Sequence, residues 1–311
     1  MGSDNIKKVS IVVPVYNNEG SLIETCAQLH DEHKKSFNQY DFEIVFVDDG
    51  SKDDSWKVLQ ELRKQYDDIK IVKLSRNFGQ ASANLAGFNF TDGDVVVTIS
   101  ADLQDPITLI PEMLNKWEAG CEIVAATRKS RADGFLSSIL SRIAYKIARS
   151  ANPNIPKGGF DFYLVSRRAK DLLLSFKGRH HFFQGEIMWL GFPTAIIPYE
   201  RKERKHGKSG WTLTKRISLF IDLILDSTTL PLRAMSIIGA GLALLGYLYA
   251  FAIFVSWLFG ETPYLGWAAI MVTILGVGGQ ILLMLGIIGE YVLRIHESSR
   301  ERPKFIVQDS E

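Results

Sequence analysis

Carboxylates placed just after short apolar runs are the first features that could do chemistry. Asp102-Leu103-Gln104-Asp105-Pro106 follows the run at 94–99. In an extended segment, residues two apart point the same way. Asp102 and Gln104 would then offer hard oxygen ligands to a divalent cation, with diphosphate oxygens and water completing the shell. The alternative is a purely structural turn. Asp105-Pro106 has the form of a helix start, with Asp as N-cap and Pro at the first position. Asp48-Asp49-Gly50-Ser51 ends another apolar run. Its carboxylates could accept hydrogen bonds from a ribose or a base N–H. The same four residues equally suit a turn that caps the next helix. Asp161 is a lone acid between Phe160 and Phe162. It either faces a ligand or is a satisfied core carboxylate.

Cationic side chains fall in three groups: Arg128, Lys129 and Arg131; Arg142 and Lys146; and Arg201, Lys202, Arg204, Lys205, His206 and Lys208. Guanidinium forks match phosphate oxygens. Anionic lipid headgroups would attract the same clusters, and a lipid phosphate would satisfy both readings.

Short Val/Ile runs alternating with helical patterns must position these residues. Strands are expected at 10–15, 42–47, 69–74, 94–99 and 122–126, with a further strand-like pair at Leu164-Val165. Helices are expected at 20–37, 54–66, 80–90 and 107–119. This alternation predicts an α/β fold with a mostly parallel sheet covered on both faces. Such sheets bind ligands at the carboxyl ends of their strands. The polar clusters Tyr16-Asn17-Asn18-Glu19, Asp48-Asp49 and Ser100-Ala101-Asp102 fall there. Segments 135–151 and 213–229 have amphipathic helical patterns suited to a membrane interface or to an ordinary surface helix.

The chain has 311 residues, 36 Lys+Arg, 35 Asp+Glu and a net charge of +1. That balance argues against a nucleic-acid binder and against a disordered charged tail. Cys26 and Cys121 form no disulfide framework or zinc motif and read as reduced, packed thiols. No GxGxxG follows a strand, and neither GxxxxGK[ST] nor GxSxG occurs, which disfavours dinucleotide enzymes, P-loop NTPases and α/β-hydrolases. There is no signal-peptide pattern at the start.

The averages conceal a division. Segments 234–259 and 264–289 are free of charge, each about 26 residues against the ~20 needed to span a bilayer core. Residues 234–293 hold only Glu261 and Glu290 as charges, so 36 basic and 33 acidic residues remain for the rest. Arg233 precedes the first span; Arg294, Arg300, Arg302 and Lys304 follow the second. The positive-inside rule then puts both ends and the N-terminal portion in the cytoplasm. Gly276, Gly278 and Gly279 could allow close helix contacts, within one chain or between copies as a homo-oligomer.

The ordered motifs Val13-Pro14-Val15-Tyr16-Asn17-Asn18-Glu19, Asp48-Asp49-Gly50-Ser51, Arg76-Asn77-Phe78-Gly79 and Ala101-Asp102-Leu103-Gln104-Asp105-Pro106 resemble those of a family 2 glycosyltransferase of GT-A fold. Ala126-Thr127-Arg128, Ser141-Arg142 with Tyr145, Asp161-Phe162, Trp189-Leu190-Gly191, Arg201 and Arg204 with Gly207-Lys208-Ser209, and Pro231-Leu232-Arg233 narrow the resemblance. It points to the polyprenyl-phosphate glycosyltransferases, the group of dolichyl-phosphate mannose synthases and bacterial undecaprenyl-phosphate glucosyltransferases. It covers essentially the whole chain.

The resemblance implies four parts: a GT-A catalytic domain over 1–212, an interface helix and linker over 213–233, two transmembrane helices over 234–293, and a cytoplasmic tail over 294–311. It implies a multi-pass enzyme of the plasma (inner) membrane that moves one hexose, with UDP-glucose the first choice of donor, to a polyprenyl phosphate with inversion. Pro14, Tyr16, Asn17, Glu19, Asp48, Asp49 and Arg76 would line the nucleotide-sugar site. Arg201, Arg204 and Ser209 would close over the donor. Asp102 and Gln104 would hold Mg²⁺ or Mn²⁺, and Asp161 would join them as a catalytic group. Arg128, Arg142 and Arg131 would bind the lipid phosphate. Two departures stand out: Ser100 where many members have Asp, and Gly207-Lys208-Ser209-Gly210-Trp211 where the loop often reads Gly-x-Ser-Lys-Tyr. A processive polysaccharide synthase and a membrane-anchored sugar-nucleotide binder without catalysis are the competing readings. The chain lacks the Gln-x-x-Arg-Trp segment of the former.

Overall fold

The computed structural model describes residues 6–128, 146, 149, 153–156, 159–176, 183–201, 230–259, 267–300 and 302–311. The expected amphipathic helices at 135–151 and 213–229 lie outside these residues, apart from Lys146 and Arg149. The described chain divides into two units, one comprising residues up to 227 with 302–311, the other 228–301.

The first unit is built on one sheet. Its strands are β1 (Lys8–Val15), β2 (Asp41–Asp48), β3 (Ile69–Leu74), β4 (Val95–Thr98), β5 (Ile123–Arg128), β6 (Phe162–Ser166), β7 (Thr194–Tyr199) and β8 (Val307–Ser310). The spatial order is β7-β5-β6-β4-β1-β2-β3-β8. β1 pairs in parallel with β2 and β4, β2 with β3, and β5 with β7. β6 lies antiparallel between β4 and β5, and β8 is antiparallel to β3. Six strands therefore end at one rim of the sheet, and β6 and β8 begin there.

Helices α1 (Leu22–Ser36), α2 (Ser55–Gln65), α3 (Gln80–Asn89), α4 (Ile110–Glu118), α5 (Arg167–Ser175) and α6 (Phe183–Trp189) cover the sheet. Strand side chains alternate between the two faces. Val9, Ile11 and Val13 of β1 enter a core with Leu22, Cys26 and Leu29 of α1, Leu59 of α2 and Met113 of α4. Val12 enters the opposite core with Leu85 and Phe88 of α3, Leu173 of α5 and Ile187 of α6. Burial on both faces explains why these strands read as continuous Val/Ile runs. Burial, with a smaller contribution from Asp68, pushes the Cys26 thiol up to about 12. That keeps it protonated, in line with a packing role.

The four predicted helices and the strands through 126 match the sequence expectation to within a few residues. β7 and β8 were not anticipated. Of the segment 294–311 expected as a tail, residues to Ser299 continue the second apolar helix, and 302–311 belong to the sheet unit. Ile71 and Glu311 exchange two backbone hydrogen bonds at 2.9 and 3.0 Å, and Ser75 N–H donates to Ile306 O at 3.0 Å. Phe305 and Val307 pack on the second core.

The second unit contains α7 (Leu230–Leu258) and α8 (Trp267–Ser299), of 29 and 33 residues. At 1.5 Å per residue they are ~44 and ~50 Å long. Both contain windows long and apolar enough to cross a membrane, Leu232–Tyr249 and Gly276–Ser299. Leu244, Leu245, Leu282 and Leu285 are exposed along them. The helices meet closely at Gly239, where an added Cβ would lie 3.0 Å from Met284 Cε. Among the described residues nothing lies within 4 Å of the corresponding positions of Gly276, Gly278 or Gly279. Within the chain, the close contact falls on α7 rather than on the glycines singled out in the second span.

Candidate active site

The rim where the parallel strands end gathers the polar motifs. After β1 the chain turns sharply: Asn17 has φ 54°. Asn17 N–H donates to Ser51 Oγ at 3.0 Å, and Lys52 N–H donates to Asn17 Oδ1 at 2.9 Å. Glu19 accepts from Asp54 N–H at 2.9 Å. Thus the Tyr16–Glu19 turn is fastened to the turn after β2, with Tyr16 exposed and Pro14 half-buried at the end of β1.

Asp48 is fully buried; its Oδ1 accepts from Ser51 N–H at 3.0 Å, while Oδ2 makes no hydrogen bond. Both oxygens of Asp49 are taken by the β3–α3 loop, accepting from Phe78 N–H at 2.7 Å and Gly79 N–H at 2.9 Å. Burial raises the Asp49 pKa to about 6, with help from Asp48 and against those two bonds and Arg76. Gly50, at φ +69°, lies against the Arg76 and Asn77 backbone. Arg76 is exposed and stacks 4.2 Å from the Phe78 ring centroid.

The segment after β4 is not extended as expected. Leu103 has φ 59°, and Gln104 N–H donates to Asp102 Oδ1 at 3.2 Å. This side chain-closed turn replaces the strand geometry, because a short Asp side chain can bond the backbone two residues on. Ser21, just before α1, and Thr25 of α1 donate to Ala101 O at 2.6 and 3.2 Å and hold the turn down.

Asp105 is not a helix cap. The helix starts later, with a 3₁₀ turn over Ile107–Leu109 before α4. Its carboxylate instead accepts from Tyr199 Oη at 2.5 Å and from Ser100 Oγ at 2.5 Å. Ser100 Oγ also lies 2.8 Å from Asp102 Oδ1. One hydroxyl proton can serve only one of these two carboxylates at a time. Arg201 follows β7, its guanidinium 3.7 Å from both Asp102 and Asp105.

Arg128 and Asp161, read from sequence as separate groups, form an ion pair at 2.7 Å. Asp161 immediately precedes β6, beside the end of β5, and its other oxygen accepts from Gln184 Nε2 of α6 at 3.2 Å. Burial works against the Arg128 charge. Asp161, Tyr199 and Asp105 outweigh it and raise the pKa above the ordinary arginine value.

The structure thus assembles two groups at the rim: Tyr16–Glu19 with Asp48, Asp49 and Arg76, and Asp102 with Arg201, Arg128 and Asp161. Arg131, Arg142, Arg204 and Ser209 lie outside the described residues. Ser100, Tyr199 and Gln184 join the second group and were missed as participants. Ser100 was noticed only for what it was not, and Tyr199 was hidden because β7 has no clear strand pattern.

Two buried carboxylates face one guanidinium beside Asp102, an excess of negative charge. The Gln104 amide adds a neutral oxygen donor. Oxygen donors and net negative charge fit a hard divalent cation that takes further ligands from a diphosphate. Among the described residues no three His, Cys, Asp or Glu side chains cluster as a complete protein-only metal site.

The family profile of Glycosyl transferase family 2 matches residues 10–190. The chain is 37% identical to the uncharacterized glycosyltransferase YkcC of Bacillus subtilis (strain 168), over 97% of this chain and 93% of that protein. It is 34% identical to the bactoprenol glucosyl transferase of Shigella phage SfV and 34% identical to the prophage bactoprenol glucosyl transferase homolog of Escherichia coli (strain K12). Each of these alignments covers 97% of this chain and 98% of the relative. The crystal structure of glucosyl-3-phosphoglycerate synthase from Mycobacterium tuberculosis in complex with phosphoglyceric acid shares the fold, with TM-score 0.50 at 18% identity over 71% of this chain and 80% of that one. The expected GT-A architecture and enzyme class hold, and the chain belongs to glycosyl transferase family 2.

Proposed function

We propose that this glycosyltransferase transfers a single hexose from a nucleotide-sugar, UDP-glucose as first choice, to undecaprenyl or another polyprenyl phosphate. The observation that carries this reading is the alignment with proteins named bactoprenol glucosyl transferases. It runs through 97% of the chain and so takes in α7 and α8 as well as the sheet unit. A long lipid acceptor gives those apolar helices a purpose. They cross the inner membrane as a hairpin, with the sheet unit and both ends cytoplasmic, as the flanking arginines favour.

In the reaction an acceptor phosphate oxygen attacks the anomeric carbon, the bond to the diphosphate breaks, and the nucleoside diphosphate leaves. Displacement in one step inverts the anomeric centre. A phosphate monoester has a second pKa near ~6, so the nucleophile is already largely ionised and needs no strong base. Catalysis is then a matter of holding two anions in line and stabilising the departing charge.

The buried, charged Arg128 suits the acceptor phosphate. Asp161 orients that guanidinium from one side. Asp48, with its unengaged buried oxygen, suits a donor hydroxyl or base N–H, beside Tyr16, Asn17, Glu19 and Arg76. Arg201 suits the diphosphate, together with Arg204 and Ser209. Asp102 and Gln104 would hold Mg²⁺ or Mn²⁺, which when bound supplies positive charge to the departing diphosphate.

The test is purified full chain with polyprenyl phosphate and a panel of sugar nucleotides, with and without EDTA. A lipid-linked monosaccharide formed from UDP-glucose and suppressed by EDTA is expected. A polymer, or no product from any donor, would overturn the reading. Asp102→Asn is expected to abolish transfer; full activity in that variant would refute the cation assignment.

A further inference from the structure

Within the second group, the Arg128–Asp161 pair and the turn that carries Asp102 are joined by one buried side chain that the reaction as outlined does not use. β5 and β7 pair in parallel with Arg128 opposite Tyr199. Neighbours in register present their side chains on the same face of a sheet. The Arg128 guanidinium is within hydrogen-bonding reach of the Tyr199 phenol. The phenol lies 2.5 Å from Asp105 Oδ1.

The direction of each bond follows from chemistry. A guanidinium only donates and a carboxylate only accepts. Burial and the adjacent Asp105 hold the Tyr199 phenol above its ordinary pKa, so it keeps its proton. Any hydrogen bond between Arg128 and Tyr199 therefore runs from the guanidinium N–H to Oη, while Tyr199 O–H donates to Asp105. Asp105 is itself keyed through Ser100 to the turn that carries Asp102. The Tyr199 ring is 5% exposed and meets Phe162 edge-on at 6.2 Å and 85°. It is a fixed spacer rather than a mobile one.

We infer that Tyr199 is a positioning residue, a strut that sets Arg128, and the acceptor phosphate it holds, at a fixed reach from the donor-side turn at 100–105. This rests on the acceptor reading given above. The strut explains why the tyrosine sits two residues before Arg201. One strand end then supplies the spacer to Asp105 and a cation to both Asp102 and Asp105.

The experiment compares Tyr199→Phe with the unaltered chain, both full-length and purified. It uses UDP-glucose and undecaprenyl phosphate for kinetics, and UDP alone for binding. Tyr199→Phe keeps the ring and removes only the bridge. The acceptor KM is expected to rise about tenfold or more, with a fall in kcat, while UDP affinity stays within about twofold. Tyr199→His, whose neutral ring can accept on one side and donate on the other, is expected to recover part of the loss, and serves if the phenylalanine variant folds poorly. A Tyr199→Phe, Arg128→Lys cycle should be less than additive.

Wild-type acceptor kinetics in Tyr199→Phe overturn the inference. So does a rise in acceptor KM accompanied by a parallel loss of UDP affinity and melting temperature, which would mark a packing role only. If the unaltered chain glycosylates no polyprenyl phosphate, the acceptor reading fails first and takes this inference with it.

Discussion

Substituting Gly50 by alanine tests how the turn after β2 supports the proposed donor site. The position has φ +69°, where a residue with a Cβ loses ~1–2 kcal/mol. A Cβ there would also lie 2.5 Å from Arg76 C, 2.7 Å from Asn77 N and 2.9 Å from Arg76 Cα. These are backbone atoms, so no side chain can swing aside. Ordinary carbon contact needs roughly 3.5 Å, so the loop must retreat by about 1 Å. The same loop is held by the two Asp49 bonds of 2.7 and 2.9 Å. A 1 Å retreat stretches both beyond useful length, and each bond to a carboxylate contributes about 1.5–3 kcal/mol. The expected result is a stability loss of several kcal/mol and a donor affinity reduced by up to about 100-fold, since Arg76 moves with the loop.

Gly120→Ala is the control. Gly120 has φ +98° but nothing within 4 Å of its Cβ position, so only the conformational cost of ~1–2 kcal/mol applies. UDP binding and thermal melting of both variants in detergent measure the difference. If Gly50→Ala melts like Gly120→Ala and binds UDP like the unaltered chain, the close-approach reasoning is wrong.

Two further outcomes are expected. Burial alone would raise the Glu43 pKa, but Lys8, Ser10, the Asp92 N–H and Lys70 outweigh it and bring it from 4.5 to about 2. A depressed carboxylate contributes stability that is complete above pH 4.5 and is lost as pH falls towards 2. Glu43→Gln should therefore cost ~3 kcal/mol at pH 7, with the deficit shrinking below pH 4.5 in urea titrations; a pH-independent deficit contradicts the ion-pair origin. Removing residues 302–311 uncovers the β3 edge and the second core under Phe305 and Val307, so lower melting and greater self-association by light scattering are expected; an unchanged monodisperse particle would count against it.

Much of the architecture was legible because its physics is local. Val12, Val45 and Val97 sit in unbroken apolar runs that only a two-sided buried strand requires, and Leu22, Cys26 and Leu29 repeat at helical spacing. β7 and β8 escaped because edge strands are buried on fewer sides. Ile196 is 51% exposed, and Gln308 to Ser310 are exposed and polar. In the site, motif residues were placed at the correct rim, but their partners were not. Asp105 looked like a cap because Asp-Pro has that form locally. Tyr199, 94 residues away, claims it instead. Likewise Arg128 and Asp161 are 33 residues apart, and their pairing depends on β6 running against β5. Long-range pairings of this kind leave no spacing signal in a single chain.

The position of β8 has a consequence for how the protein is made. β3 ends at Leu74, and its partner begins at Val307, beyond both apolar helices. About 230 residues must leave the ribosome between them, roughly 10–50 s at ordinary elongation rates. During that interval β3 is an open, hydrogen-bond-ready edge in an otherwise foldable sheet. If the apolar helices cross a membrane as proposed, completion of the sheet waits on their delivery there. A chain in which only one of the two helices crossed would leave its closing strand on the far side of the bilayer from its sheet. The last pairing in the fold is in effect a topology check.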